Sequence, residues 1–264
     1  MKSIYYAKDI SELLYQLKTN KGLQVVGGCT KIEEIPEKFI STKNIYELNQ
    51  ITRHERFIDI GPGATISKIL HVGQNHLPPI LYEAMNRMAN PMIRNSATIG
   101  GNICYKGHKL TLYAPLLALD AKLEFKNQSE TISESLRNFK EVPEGFILTN
   151  IRVPLIDAEV SIFRRIGPEH AINLDSASFA FIADTERNSI AKVQMAFAGA
   201  FTFHSKNIEN SLIGEHLPLT QTDINRIYNN ITAEFYKQTT DQMISDVVRQ
   251  QFFNLARYSL EQLT

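Results

Sequence analysis

The chain is poor in several features, and each shortage excludes a class of protein. Its 264 residues include only two cysteines, Cys29 and Cys104. Two thiols cannot build a disulfide framework or the four-thiolate set of an iron–sulfur cluster. The seven histidines (54, 71, 76, 108, 170, 204 and 216) are scattered, no Cys/His group has zinc spacing, and no metal site is expected. Lys plus Arg and Asp plus Glu number 28 each, so the formal net charge is zero and there is no general field for nucleic acid or an anionic membrane. The same neutrality favours association and fits a subunit of a complex. No run approaches the ~20 apolar residues of a membrane span. Met1-Lys2-Ser3-Ile4-Tyr5-Tyr6 lacks the apolar core of a secretion signal, which makes a reducing cytoplasm the expectation. Gly-x-Gly-x-x-Gly and Gly-x-x-x-x-Gly-Lys-Ser/Thr are both missing, so neither a simple dinucleotide turn nor a P-loop is expected. No paired carboxylates or nucleophile–base set stands out, and no catalytic residue is assigned.

What the chain does have is a pair of Gly-Gly segments, Val26-Gly27-Gly28-Cys29-Thr30 and Asn95-Ser96-Ala97-Thr98-Ile99-Gly100-Gly101-Asn102. A Gly-Gly step allows close backbone approach and positive φ, so successive N–H groups can converge on one anion. Thr30, Thr98 and Asn102 add side-chain donors. A single such step most often marks an ordinary tight turn. Two of matching chemistry, each leaving an apolar segment, point to a diphosphate held between them.

The remaining pattern is mixed. Asp9-x-x-Glu12 reads as a capping box opening a helix with Ile10, Leu13, Leu14 and Leu17 on one face. Residues 23–26 read as a buried strand running into the first glycine loop. Phe57–Ile60 reads as a strand broken by Gly61-Pro62-Gly63, after which Thr65 caps a helix carrying Ile66, Ile69 and Leu70. A helix from Pro78-Pro79 runs to about Met88, where Asn90-Pro91 stops it and leads to the second loop. Residues 121–125, 146–153 and 160–165 read as strands. Residues 177–183 and 191–203 form long β-patterned runs joined across 184–189. From Asn207 the pattern is helical, ending in Val247, Val248, Phe252, Leu255, Ala256 and Leu260.

These residues resemble the FAD-binding subunit of the molybdenum hydroxylases, which include xanthine dehydrogenase and the medium chain of carbon monoxide dehydrogenase. Val26–Thr30 resembles the family's first pyrophosphate loop, and Asn90–Asn102 is similar to its signature almost residue for residue. Ile60–Thr65, Leu116–Ala121, Ile147–Pro154 and Ala198–Ala200 match further family segments. The resemblance implies an α+β chain. Residues 1–157 would form an FAD-binding domain of the PCMH type, with subdomains of about 1–55 and 56–157. Residues 158–264 would form a C-terminal antiparallel sheet with helices. It further implies an FAD relay between a partner's iron–sulfur clusters and NAD or another acceptor, with the molybdenum cofactor on a third subunit. By the same analogy Val25, Val26, Gly27, Gly28, Cys29, Thr30, Lys31 and Ile32, with Thr98, Ile99, Gly100, Gly101 and Asn102, wrap the pyrophosphate. Leu148 would lie near the flavin.

The chain departs from the family at several points. Thr111 stands where many members have an aspartate that hydrogen-bonds the flavin; it brings a hydroxyl but no charge. Lys31 either pairs with a phosphate or is a solvated surface lysine. Arg94 either bridges backbone carbonyls or a carboxylate, or contacts phosphate directly. Arg164, or its neighbour Arg165, falls at a flavin-side lysine position and is otherwise a solvated strand end. The unusual segment 105–112 motivates an alternative in which the chain is a non-enzymatic scaffold with a degenerate flavin site.

Overall fold

The computed structural model describes residues 2–31, 34–168, 172–240, 242 and 244–263. In chain order its elements begin with β1 (Ser3–Tyr5), α1 (Ile10–Thr19), β2 (Gln24–Val26), β3 (Lys38–Ser41), β4 (Ile51–Arg53) and β5 (Phe57–Ile60). Next come α2 (Ile66–Leu70), α3 (Pro79–Arg87), α4 (Pro91–Arg94), α5 (Ile99–Cys104), α6 (Tyr113–Ala118), β6 (Lys122–Lys126), β7 (Thr131–Ser135) and β8 (Ile147–Pro154). The last are β9 (Val160–Ile166), β10 (Ala177–Glu186), β11 (Ser189–Ala198), β12 (Thr202–His204), α7 (Lys206–Leu212), α8 (Gln221–Gln238) and α9 (Asp246–Glu261). The fold is α+β, as expected. Contacts divide it into two units: Met1–Pro78, Met88–Lys106 and Asp120–Leu155 form the first, and Pro79–Arg87, Gly107–Leu119 and Ile156–Thr264 the second.

The first unit opens with a three-stranded parallel sheet, β1-β3-β2. Asp9 caps α1 by accepting the Glu12 N–H at 2.8 Å, while the Glu12 carboxylate reaches back to the Lys8 N–H, one residue earlier than a capping box requires. Leu13 and Leu14 of α1 pack with Ile40, Ile45 and Leu48 beside this sheet. The expected buried strand at 23–26 is corrected in part. β2 is a sheet edge, and Val25 is 40% exposed while Val26 is buried. Strands β4-β5-β8-β6-β7 then make an antiparallel sheet. Ile58 and Ile60, with Ile151 and Val153, are fully buried, while Asp59 and Arg152 occupy the other face, the alternation of a half-covered sheet.

The second unit is built on the antiparallel sheet β12-β11-β10-β9. β10 and β11 are joined by Arg187 and Asn188 alone, at φ 50° and 60°, the doubly positive turn that matches strand twist. The strands are therefore longer, and the connection shorter, than the sequence reading. The run 191–203 is also broken: β11 ends at Ala198 and the chain folds back through Gly199 into β12. Helix α3 packs on β9, and α6 on β10 and β11, although both helices precede the boundary expected near 157. A phenylalanine cluster joins the sheet to α8 and α9. The Phe252 ring lies 5.3 Å from Phe197 and 4.9 Å from both Phe203 and Phe235. Val247, expected on the packed face of the last helix, is instead 60% exposed, and Val248 takes the buried position. Among the described residues no helix is long and apolar enough to cross a membrane.

Candidate functional site

The first glycine segment leaves the edge strand β2 at Val26. Its positive-φ residue is Cys29, at 55°, whereas Gly27 and Gly28 stay in ordinary backbone regions. The positive φ that a Gly-Gly step allows is thus used not by the glycines but by Cys29 beside them. The N–H groups of Gly28, Cys29, Thr30 and Lys31 have no acceptor among the described residues. A run of unclaimed amides around a left-handed residue makes a concavity that suits an anion. The Cys29 thiol hydrogen-bonds weakly to the Gly27 carbonyl at 3.6 Å, and desolvation pushes its pKa up, so it remains a neutral thiol at physiological pH.

The second segment is not a loop. Asn90 caps the short α4 by accepting the Ile93 N–H at 2.9 Å, and Thr98 caps α5 by accepting the Gly101 N–H at 3.1 Å. Gly100 and Gly101 thus lie in the first turn of a helix. Their neighbours' amides are largely spoken for: Ile99 donates to Ala64 O, Gly100 to Pro62 O and Asn102 to Thr98 O. What this segment offers is room. A Cβ on Gly100 would lie 2.6 Å from Pro62 Cβ and 2.7 Å from Pro62 O, whereas at Gly101 it would meet only Thr98 Oγ1, at 3.0 Å. Gly101 is also exposed, so its open side is free to receive a ligand.

The two segments abut. A Cβ on Gly28 would fall 1.6 Å from the Ser96 carbonyl oxygen, and one on Gly27 would fall 2.5 Å from Thr98 Oγ1. The missing side chains bring an edge-strand exit with open amides against a capped helix start whose Gly101 is exposed. The residues present fit a diphosphate at this junction.

Other site candidates fall elsewhere. Arg94 Nη1 donates to the Met88 and Ala89 carbonyls at 3.3 Å each, which is the carbonyl-bridging role. Lys31 is half-buried and forms no ion pair with a described residue, and Ile32 lies outside the described residues. Leu148 is a buried aliphatic in β8, opposite Phe125, so its backbone is what it can offer a ligand. Thr111 and Arg164 belong to the second unit. Thr111 sits in the turn before α6, a segment whose Lys109 N–H is pinned to Gly199 O at 2.7 Å. Arg164 Nη1 donates to the Phe163 carbonyl at 2.8 Å, and its guanidinium lies 5.8 Å from the Tyr258 ring.

The sequence reading missed a polar cluster on the outer face of the five-stranded sheet. Arg152 grips Asp59 with two hydrogen bonds, at 2.8 and 2.9 Å, and lies 4.0 Å over the Phe57 ring. Partial burial pushes the Asp59 carboxyl up, but the hydrogen bonds from Arg152 and Asn150 outweigh it and hold the group below the usual carboxylate range.

Residues 1–156 match the family described as the FAD binding domain in molybdopterin dehydrogenase. The chain belongs to that family. It is 28% identical over 190 residues to the xanthine dehydrogenase FAD-binding subunit of Escherichia coli O157:H7, covering 68% of this chain and 62% of that protein. It is 27% identical over 205 residues to indole-3-acetaldehyde oxidase of Zea mays, covering 72% of this chain but only 15% of that much longer protein. A solved structure of Cu,Mo-CO dehydrogenase superposes with a TM-score of 0.82 over 99% of this chain and 96% of that one, at 16% identity, which shows a shared fold. As a family member the chain carries an FAD-binding domain over residues 1–156, and it spans less than two thirds of the length of the relatives first matched.

Proposed function

We propose that this protein is the FAD-carrying electron-transfer subunit of a molybdenum hydroxylase of xanthine dehydrogenase type. It relays electrons between the iron–sulfur clusters of a partner subunit and NAD or another acceptor, while a third subunit carries the molybdenum cofactor. The observation that carries the reading is the junction of the two glycine segments, where the segment with open amides at Gly28–Lys31 packs against Ser96 and Thr98 at the start of the helix that carries the exposed Gly101. In this assignment residues 25–32 and 98–102 bind the diphosphate. Thr111, Leu148 and Arg164 serve the remainder of the cofactor. The FAD-binding domain is 1–157, with subdomains of about 1–55 and 56–157, and 158–264 is the C-terminal domain.

The bound flavin would supply two-electron and one-electron redox chemistry. The chain's own residues supply amide dipoles for the phosphates and hold the cofactor in place, and no proton-transferring pair is required of them. The cytoplasm is the compartment that suits such a relay. The test is a titration of purified protein with FAD, followed by the flavin absorbance bands and by quenching of flavin fluorescence. Stoichiometric, saturable binding is expected. A colourless protein that refuses added FAD would instead support a scaffold, the reading that Thr111 in place of the family aspartate favours.

A further inference from the structure

Asn49 ends a 3-10 turn, Glu47–Asn49, and its side-chain amide donates to three main-chain oxygens: Ile45 at 2.7 Å, Thr42 at 3.1 Å and Lys43 at 3.3 Å. Thr42 in turn donates its N–H to the Val26 carbonyl at 3.0 Å and its hydroxyl to the same oxygen at 3.4 Å. Val26 is the residue from which Gly27 and Gly28 depart, so one side of Asn49 fixes the root of the first segment. On its other side, Gly63 donates its N–H to Leu48 O at 2.8 Å, and a Cβ on Gly63 would lie 3.0 Å from Asn49 Oδ1. The same turn presents Pro62 O to the Gly100 N–H at 2.9 Å and Ala64 O to the Ile99 N–H at 3.1 Å. The Lys68 ammonium holds the Asn49 carbonyl from a third direction.

A continuous set of hydrogen bonds and contacts therefore runs from Val26 through Thr42 and Asn49 to the Gly61–Gly63 turn and on to α5. We propose that Asn49 is a positioning residue that sets the separation of the two glycine segments, and through it the affinity of the chain for FAD. This rests on the flavin reading above. The residue type matters. Only a short side chain with two N–H donors reaches those clustered oxygens; alanine would remove the donor to the Ile45 and Lys43 oxygens while Thr42 O keeps the Ile45 N–H at 3.2 Å, and aspartate would set a negative charge against all three.

The test is FAD titration by fluorescence quenching, well below the melting temperature, with Tm measured in parallel. Asn49→Ala and Asn49→Asp are expected to weaken FAD binding about tenfold or more, the scale of one hydrogen bond lost. Gly63→Ala, which presses on the Asn49 amide, should weaken it in the same direction. Its effect should fail to add to that of Asn49→Ala in the double variant. Ile58→Val, fully buried in the five-stranded sheet and paired with Val153, should lower Tm without moving the dissociation constant. If Asn49→Ala does not fold, Gly63→Ala and Asn49→Asp carry the test. An unchanged dissociation constant in the folded variants overturns the inference, as do additive effects or an Ile58→Val shift of equal size. If the wild-type chain binds no FAD at all, it is the flavin reading that fails.

Discussion

At Gly28 a methyl group has no space, because it would overlap the Ser96 carbonyl, whereas at Gly101 it would meet one hydroxyl oxygen at 3.0 Å. The two glycines should therefore separate folding from binding. Gly101→Val is expected to keep a cooperative melt and lose FAD retention, since its added bulk projects into the open side of the cradle. Gly28→Ala is expected to lower Tm markedly, because the two segments must part to admit it. Full flavin occupancy in a folded Gly101→Val protein would rule out the two-segment cradle. The Asp59–Arg152 pair gives a pH signature instead. The folded pKa of Asp59 lies below its unfolded value of about 3.9, so the pair stabilises the fold above that pH and the stabilisation is lost as pH falls through the folded pKa. Arg152 is half exposed, and screening limits the effect to about 1 kcal/mol. Denaturant melts of wild type and Asp59→Asn should differ at pH 7, begin to approach one another below about pH 4 and converge only once the pH has fallen through the lowered folded pKa of Asp59. A gap that persists in acid would assign the loss to packing.

Elements with their own start signals were legible in the sequence. Thr65 caps α2 and Pro79 opens α3 just as the residue types require. The same signals stand before α4 and α5, at Asn90-Pro91 and Thr98, but Asn90-Pro91 reads equally as the stop of the helix before it, and at α5 the Gly-Gly step hides the cap, because glycine is a poor helix former and reads as a turn. β7 was missed because Thr131–Ser135 is a polar strand at a sheet edge and carries no apolar alternation. Of the site, the glycine segments could be read directly, since their chemistry resides in their residue types. Asn49 could not. Its partners are main-chain oxygens, which every sequence supplies, and only the fold gathers them.

At the scale of the whole molecule the flavin reading requires company, because two cysteines cannot hold the iron–sulfur cluster with which an electron relay must exchange. The course of the backbone adds something different. The chain alternates between the two units as 1–78, 79–87, 88–106, 107–119, 120–155 and 156–264, so any cut between 79 and 155 gives two pieces that each hold parts of both. A fragment of residues 1–156 would carry α6 without β10 and β11, baring Tyr113, Leu116 and Leu117, all of which are buried in the full chain. Such a fragment is expected to aggregate or to be digested rapidly by protease, and a monodisperse, cooperatively melting product would contradict this. In gene fusion, splicing or recombination, a junction placed between 79 and 155 would divide both units.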